Sequence, residues 1–568
     1  MIEIHWTEVD GVTALWTEGQ PPLKAGLMFR TGRADETLIT YGQTHLIEHL
    51  ALSSMGHGAG RHNGLTGSLV TGFLVRGGPG DVSAFLLGVC QALQSLPADR
   101  LEAEKKILLA EESTQPYSVE ATLLMRRFGA AGHGLAGAMP QYGIKGATLD
   151  QLHESAQRRF TRDNAVLWLD GPLPSDLRLP LPPGERQDLP TVVPVQQTFP
   201  CWFLDNQCGG IAVGATVSRL AAAPAFSAAA WRRLHQRLRI GEAVSYAPRV
   251  FYEPLSAQTA HLVLYADSND ATRKELAAGF CEVFEGLTQF EESEVEATLK
   301  EYREHRTGSL APPLADRMVD VAFWTAMNWL IGREVRSTEE SEAEVLRVTA
   351  TDMAAFGQDV QQTAMFALPG KAIRRPSMGA FAPKSTLPVV EGRQSLSQDA
   401  PANQMRLVHG PDGVSLTAVD GSHLTVRYAQ LAAALHYPDG AVQLIGTDAT
   451  ALMVEPTLWR GGPPLCREIL ERVPAPLLLE RSARPPTAIP RPRTTAWQRL
   501  RARTEWKEAK RWSFVALAVF LAIMSAALTL SLISAIFGTT NEIAPGAFLF
   551  LTFSLWALAM RVRARRPK

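Results

Sequence analysis

Along roughly the first 375 residues, short β-rich stretches with apolar side chains at alternate positions give way repeatedly to longer segments with apolar residues every three to four positions. These two periods predict strands interleaved with amphipathic helices, an α+β chain in which strands start at once, within MIEIHWTEVDGVTALW. A strand-rich start, a long helix, a strand, further helices and a closing strand follow one another twice. That repetition predicts two tandem α/β domains, 1–190 and 195–375. Residues 376–400 have no sustained period and read as a linker.

A compact block at 401–475 contains SLTAVDG, HLTVRYAQLAAAL, AVQLIGTDATALMVEPTLW and a closing LCREILERV. Strand-turn-strand signals ending in one helix predict a small β-rich domain similar to a pleckstrin-homology barrel, suited to docking or binding. Residues 476–511, including RSARPPTAIPRPRTT, are rich in proline and arginine and predict an extended basic linker. Two uncharged apolar runs follow, Ser513 to Phe537 and Ile543 to Met560, joined by a turn that contains Pro545 and Gly546. The first would span about 37 Å as a helix, enough for a tilted bilayer crossing. Two transmembrane helices are therefore expected within 512–562.

Arginine and lysine crowd both outer ends of this hairpin, and its turn has neither. The positive-inside rule then puts both termini and the preceding domains on the cytoplasmic side of a cell membrane, with membrane lipid as a partner. The N-terminus has no basic stretch leading into an apolar run, so no cleaved signal peptide is expected. A formal net charge of -1 implies no broad basic surface, and no nucleic-acid partner is expected. The five cysteines have no metal-site spacing and read as buried thiols in a reducing compartment.

The chemistry points to His45-Leu46-Ile47-Glu48-His49. Residues four apart lie on one helical face, so His45 and His49 can reach a single ion while Glu48 projects beside them. Two imidazoles suit zinc, which brings the pKa of a bound water to about 7, and a neighbouring carboxylate can take that water's proton. His57 and His62 are alternative metal contacts.

The H-x-x-E-H order resembles the inverzincin signature. Its surroundings, FRTGRADE leading into GQTHLIEHLA and then NGLTGSLVTGF, resemble the insulinase/pitrilysin/processing-peptidase family of zinc metallopeptidases. The likeness extends over about 370 residues and is strongest over 25–171. It implies a metalloendopeptidase acting on peptides or unfolded segments, with zinc as cofactor and Glu48 as the base. By the same resemblance Glu111, in EKKILLAE, is the third zinc ligand, with Glu112 as the competing choice, and Glu104 is a supporting carboxylate. Asn63, Thr66, Thr71 and Phe73 match the family's substrate-side strand. Leu238-Arg239-Ile-Gly-Glu-Ala-Val-Ser-Tyr246 resembles its Leu-Arg-x-x-x-Gly-x-x-Tyr element, in which Arg239 and Tyr246 would hold the peptide; Ala243 occupies the place of the glycine. The gap between His49 and Glu111 is shorter than the family's. Relatives of this half-length form pair two subunits, which implies a homodimer or a heterodimer with a related subunit. A catalytically weak or inactive peptide-binding subunit of the same fold is the alternative.

Overall fold

The computed structural model describes residues 2–55, 61–191, 193–196, 198–269, 271–370, 374–399 and 405–493. The expected transmembrane hairpin and His57 lie outside them. No helix among the described residues is long and apolar enough to cross a membrane. Asp399–Pro401 with Pro492–Lys568 form a separate unit, mostly outside the described residues.

The first sheet is built from β1 (His5–Val9), β2 (Val12–Trp16), β3 (Leu23–Phe29), β4 (His62–Thr66), β5 (Thr71–Gly77) and β6 (Ala165–Leu169). Their spatial order is β1-β2-β6-β3-β5-β4. The second contains β7 (Cys201–Leu204), β8 (Gly210–Ser218), β9 (Arg249–Pro254), β10 (Thr259–Asp267), β11 (Met365–Leu368) and β12 (Ala380–Phe381), ordered β12-β7-β11-β8-β10-β9. Shifting β2-β6-β3-β5-β4 along the chain reproduces β7-β11-β8-β10-β9. The directions agree too: the closing strand is parallel to the first of each set, and the other pairs are antiparallel. The repeat is faint in sequence and plain in topology.

In the first half the helices are α1 (Gln43–Ser53), α2 (Pro79–Gln94), α3 (Leu101–Thr114) and α4 (Val119–Phe128). Leu46, Ile47 and Leu50 of α1 join Phe85, Leu86 and Val89 of α2 and Leu108 of α3 over one face of the first sheet. The opposite face is covered by the other half: Ala322, Ala326 and Leu330 of helix Leu314–Leu330 pack on Leu15, Met28 and Trp168. Reciprocally, Val119 and Leu123 of α4 pack on Phe203, Ala212 and Met365 of the second sheet. Each half thus buries a helix of the other. Arg127 at the end of α4 is almost fully buried and donates to the Gly214 carbonyl at 3.0 Å and the Thr363 carbonyl at 2.5 Å.

Two four-stranded sheets follow: β13 (Arg393–Leu396), β14 (Arg406–His409), β15 (Gly413–Thr417) and β16 (His423–Arg427), then β17 (Leu431–His436), β18 (Val442–Gly446), β19 (Ala451–Val454) and β20 (Leu478–Glu480). Helix Gly462–Leu470 closes their core through Leu465 and Ile469. Both expected linkers need correction here. Residues 376–400 supply β12 and β13, and 476–511 supplies β20, which runs parallel to β17. Segments this short carry no readable period, and their neighbours in the sheet supply the pairing. Ala433, Leu435 and Ile445 pack against Leu38, Tyr41, Met139 and Tyr142, so this β-rich part is docked beside the segments that flank α1. All five cysteines are buried and free.

Candidate metal centre

Helix α1 begins where the chain turns through Gly42, whose φ of 98° is in the left-handed region; a Cβ there would lie 2.7 Å from that of Gln141. Only glycine combines that backbone with so close an approach. The buried Glu36 carboxylate accepts the Gly42 N–H at 2.8 Å and the Thr44 N–H at 2.7 Å, which fixes the first turn of α1. Burial nevertheless pushes the Glu36 pKa from 4.5 up to about 7.

One turn on, the rings of His45 and His49 are 4.9 Å apart and nearly perpendicular. Each Nδ1 has a partner at 3.3 Å: Gln141 Oε1 for His45, and Glu104 Oε2 for His49. The Nε2 atoms therefore face the remaining carboxylates, Glu48 at 3.9 Å from His45 and Glu111 at 3.7 Å from His49. Ligand atoms of His45, His49 and Glu111 all lie within 4.8 Å of one another. Burial, then the neighbouring His49, brings the His45 pKa down to about 4, so its ring is neutral at pH 7. Two imidazoles with anchored Nδ1 ends, plus one carboxylate, are a donor set that fits zinc and leaves a position open.

Glu111 and Glu112 have separate tasks. Glu111, partly exposed, belongs to the trio, whereas Glu112 accepts the backbone N–H of Gln141. Glu104 is buried, and its second oxygen receives Arg100 Nη2 at 2.6 Å. Glu48 is buried as well, which raises its pKa, and it accepts the Thr66 hydroxyl at 3.0 Å. Gly64 on the same strand gives the carboxylate room, because a Cβ there would meet Glu48 Oε1 at 1.8 Å.

Of the expected substrate-side residues, Asn63 is exposed on edge strand β4 and Thr66 holds Glu48. Thr71 and Phe73 are corrected to core residues: both are fully buried on the inner strand β5, Thr71 donating to the Thr31 carbonyl and Phe73 packed edge-on to Phe29. His62 stacks on Phe85 and is not one of the trio.

Arg239 and Tyr246 lie close together, the guanidinium 5.0 Å from the ring centre, in the turn that ends the second half's helix Ala222–Leu234 and its π-helical extension His235–Gly241. Among the described residues, no hydrogen bond or ion pair joins them to His45, Glu48, His49 or Glu111, and Tyr246 is 75% exposed. Ala243 in the same turn has φ 52°, the left-handed conformation that glycine adopts freely.

Sequence reasoning missed Gln141 as a partner of His45. It lies beyond the end of α4, and no local spacing connects it to a helix almost a hundred positions earlier. The function of Glu36 was also missed, although its place just before α1 was a usable signal.

No family model and no curated protein matches the sequence, but solved structures share the fold. A protease from Helicobacter pylori superposes with TM-score 0.53 at 14% identity, covering 65% of this chain and 100% of that one. The first half of the periplasmic protease PqqL from Escherichia coli gives 0.51 at 15%, covering 66% and 92%. A peptidase M16 inactive domain from Pseudomonas fluorescens gives 0.51 at 15%, covering 66% and 100%. The chain therefore has the fold of M16, insulinase-like peptidases, which houses both proteases and an inactive domain.

Proposed function

We propose that the protein is a zinc metalloendopeptidase that cleaves peptides or unfolded segments. The observation that carries this reading is the convergence of His45, His49 and Glu111 within 4.8 Å, with Glu48 held beside them by Thr66. Zinc in this site supplies a Lewis acid and a water acidified to about pKa 7. Glu48 takes the proton of the attacking water and delivers it to the leaving amine, and its burial favours holding that proton. The peptide lies against the free edge of β4, pairing its backbone alongside Asn63. Arg239 and Tyr246 supply fixed charge and a hydroxyl to the peptide carbonyl from a second copy of the chain, a reading supported by the exposure of Tyr246 and by the lack, among the described residues, of any bond from the pair to the metal centre of its own chain.

The test is zinc content with peptide hydrolysis. The native chain is expected to hold one zinc and lose hydrolysis to a chelator. Glu48→Gln keeps the zinc and loses hydrolysis, and the paired His45→Ala and His49→Ala changes lose both. Full zinc occupancy in that double variant would sink the assignment. The second reading, a peptide-binding subunit without hydrolysis, is favoured by Ala243 standing in a left-handed turn where glycine is expected. Binding without cleavage by the zinc-loaded chain would support it.

A further inference from the structure

Beside the metal centre lies a cavity of about 1430 Å³, walled by the C-terminal end of α3 and the following Gln115–Ser118, by Gly137–Gln141, by Phe203–Gln207, and by the β-rich part through Leu416, His423, Leu424 and Ala449. That volume exceeds the roughly 300–1,000 Å³ of a small-molecule pocket and suits a stretch of peptide. The cavity shares Gln141 and Glu112 with the surroundings of the metal centre: Gln141 lines the cavity and its Oε1 lies 3.3 Å from His45 Nδ1.

The cationic side chains on its wall are not equivalent. The Arg126 guanidinium donates through Nη2 to the carbonyls of Ala382 and Pro383 and lies over the Phe203 ring, so it is held within the protein although its Nε, like that of Arg33, has no partner. Lys384 is at the exposed rim. Arg33 is different. Its backbone is fixed, the N–H donating to the Gly67 carbonyl in the β4–β5 turn at 3.0 Å. Its side chain has no ion pair and no hydrogen bond among the described residues, and its Nε is buried without a partner. The positive charge reaches His45, Glu48 and Glu253 electrostatically, without an ion pair to any of them. A partly buried guanidinium with no ion pair and no hydrogen bond among the described residues, facing a cavity beside a peptidase centre, is free to bond an anionic ligand.

We propose that this cavity receives the part of the peptide next to the scissile bond and that Arg33 binds a carboxylate of that peptide, either an acidic side chain or the C-terminal carboxylate. The inference rests on the peptidase reading for the choice of a peptide as ligand. It makes Arg33 a specificity-determining residue and gives the β-rich part a role as one wall of the substrate compartment.

The test uses the full-length, zinc-loaded chain in detergent carrying Glu48→Gln, with four fluorescein-labelled pools of random decapeptides. Two pools contain Asp and Glu and two have Asn and Gln instead, each made with a C-terminal acid or amide; anisotropy gives the affinities. One kind of carboxylate is expected to tighten binding by about 10- to 100-fold over the pool with none, as a charge-assisted hydrogen bond does. Which pools gain identifies the source. Arg33→Met should bring the ratio close to one without loss of zinc, and Arg33→Lys should retain part of it. A ratio that survives Arg33→Met, or pools that bind alike or not at all, overturns the inference. Cleavage by the native chain is measured on the same pools. Hydrolysis without dependence on Arg33 removes this inference and leaves the peptidase reading. Arg33-dependent binding with no hydrolysis by the native chain does the reverse.

Discussion

The two histidine supports provide a sharp test of how the metal centre is organised, because distance is the same and charge is not. Gln141 Oε1 and Glu104 Oε2 each lie 3.3 Å from an imidazole Nδ1. A neutral acceptor is worth about 1 kcal/mol net, and a charged one about 1.5–3 kcal/mol. Losing an outer partner of a metal-bound histidine typically weakens metal binding by about 10- to 100-fold. Gln141→Leu should therefore fall at or just below the lower end, about 5- to 10-fold, and Glu104→Leu near the upper end. Neither change strands another buried charge: Gln141 keeps its backbone bond to Glu112, and Arg100, 40% exposed, turns to solvent when Glu104 is gone. Competition with a chromophoric chelator at fixed pH gives the zinc dissociation constants. If Gln141→Leu weakens zinc as much as Glu104→Leu, or if either leaves the constant unchanged, the argument from charge is wrong.

Ala243→Gly should relieve the left-handed strain in the Arg239–Tyr246 turn and raise stability by about 1 kcal/mol; a lower urea midpoint would count against strain at that position. Glu36 binds its proton more tightly when folded, with a pKa of about 7 against 4.5, so its contribution is fully present below about pH 4.5 and is lost as pH rises through 7. The metal-free parent should accordingly lose stability relative to Glu36→Gln between pH 5 and pH 8, and urea unfolding at the two pH values checks the sign. If a second copy supplies Arg239 and Tyr246, mixing a His45→Ala chain with a Tyr246→Phe chain should restore hydrolysis that neither shows alone, and failure after verified subunit exchange would place the pair elsewhere. A chain ending before Ala496 should be soluble and should keep both zinc and cleavage, and reporters after Lys568 and before Met1 should be active only as cytoplasmic ones; protection of a tag at Asn541 with cleavage of both termini in intact cells would invert the topology.

What could be read from sequence follows from how local each interaction is. His45, Glu48 and His49 are legible because a single helical turn brings them together. Glu111 was reached through the family resemblance, and what separates it from Glu112 in the fold is Gln141, whose N–H occupies Glu112. Thr71 and Phe73 were misplaced because 63–73 was treated as one substrate-side strand. Gly67 and Val70 instead close a hairpin turn, the Gly67 N–H donating to the Val70 carbonyl at 2.9 Å, and the second strand turns inward. The unpartnered charge of Arg33 was invisible for the same reason as the Gln141–His45 bond: both are properties of segments brought together only by the fold.

The topological repeat explains how one architecture can supply both parts of the proposed reaction. In each half, the strand next to the closing strand leads into a helix, and that helix returns to the edge of the sheet: β3 to α1 to β4, and β8 to helix Ala222–Leu234 to β9. In the first half this helix carries the candidate metal ligands His45 and His49 in its opening turns, where Glu36 fixes the backbone and Gln141 fixes a ring. In the second half, the matching place carries Arg239 and Tyr246 beyond the helix end, where Asp267 accepts the Ala247 N–H at 2.7 Å and the Ser245 hydroxyl at 2.8 Å. Opposite ends of equivalent helices thus carry the candidate metal centre and the proposed substrate clamp. Both halves are also locked in place, since each sheet buries a helix from the other. Among the described residues no hydrogen bond or ion pair links Arg239 or Tyr246 to the candidate metal centre, and in the proposed homodimer a symmetric pair of chains would let each proposed clamp serve the other chain's zinc.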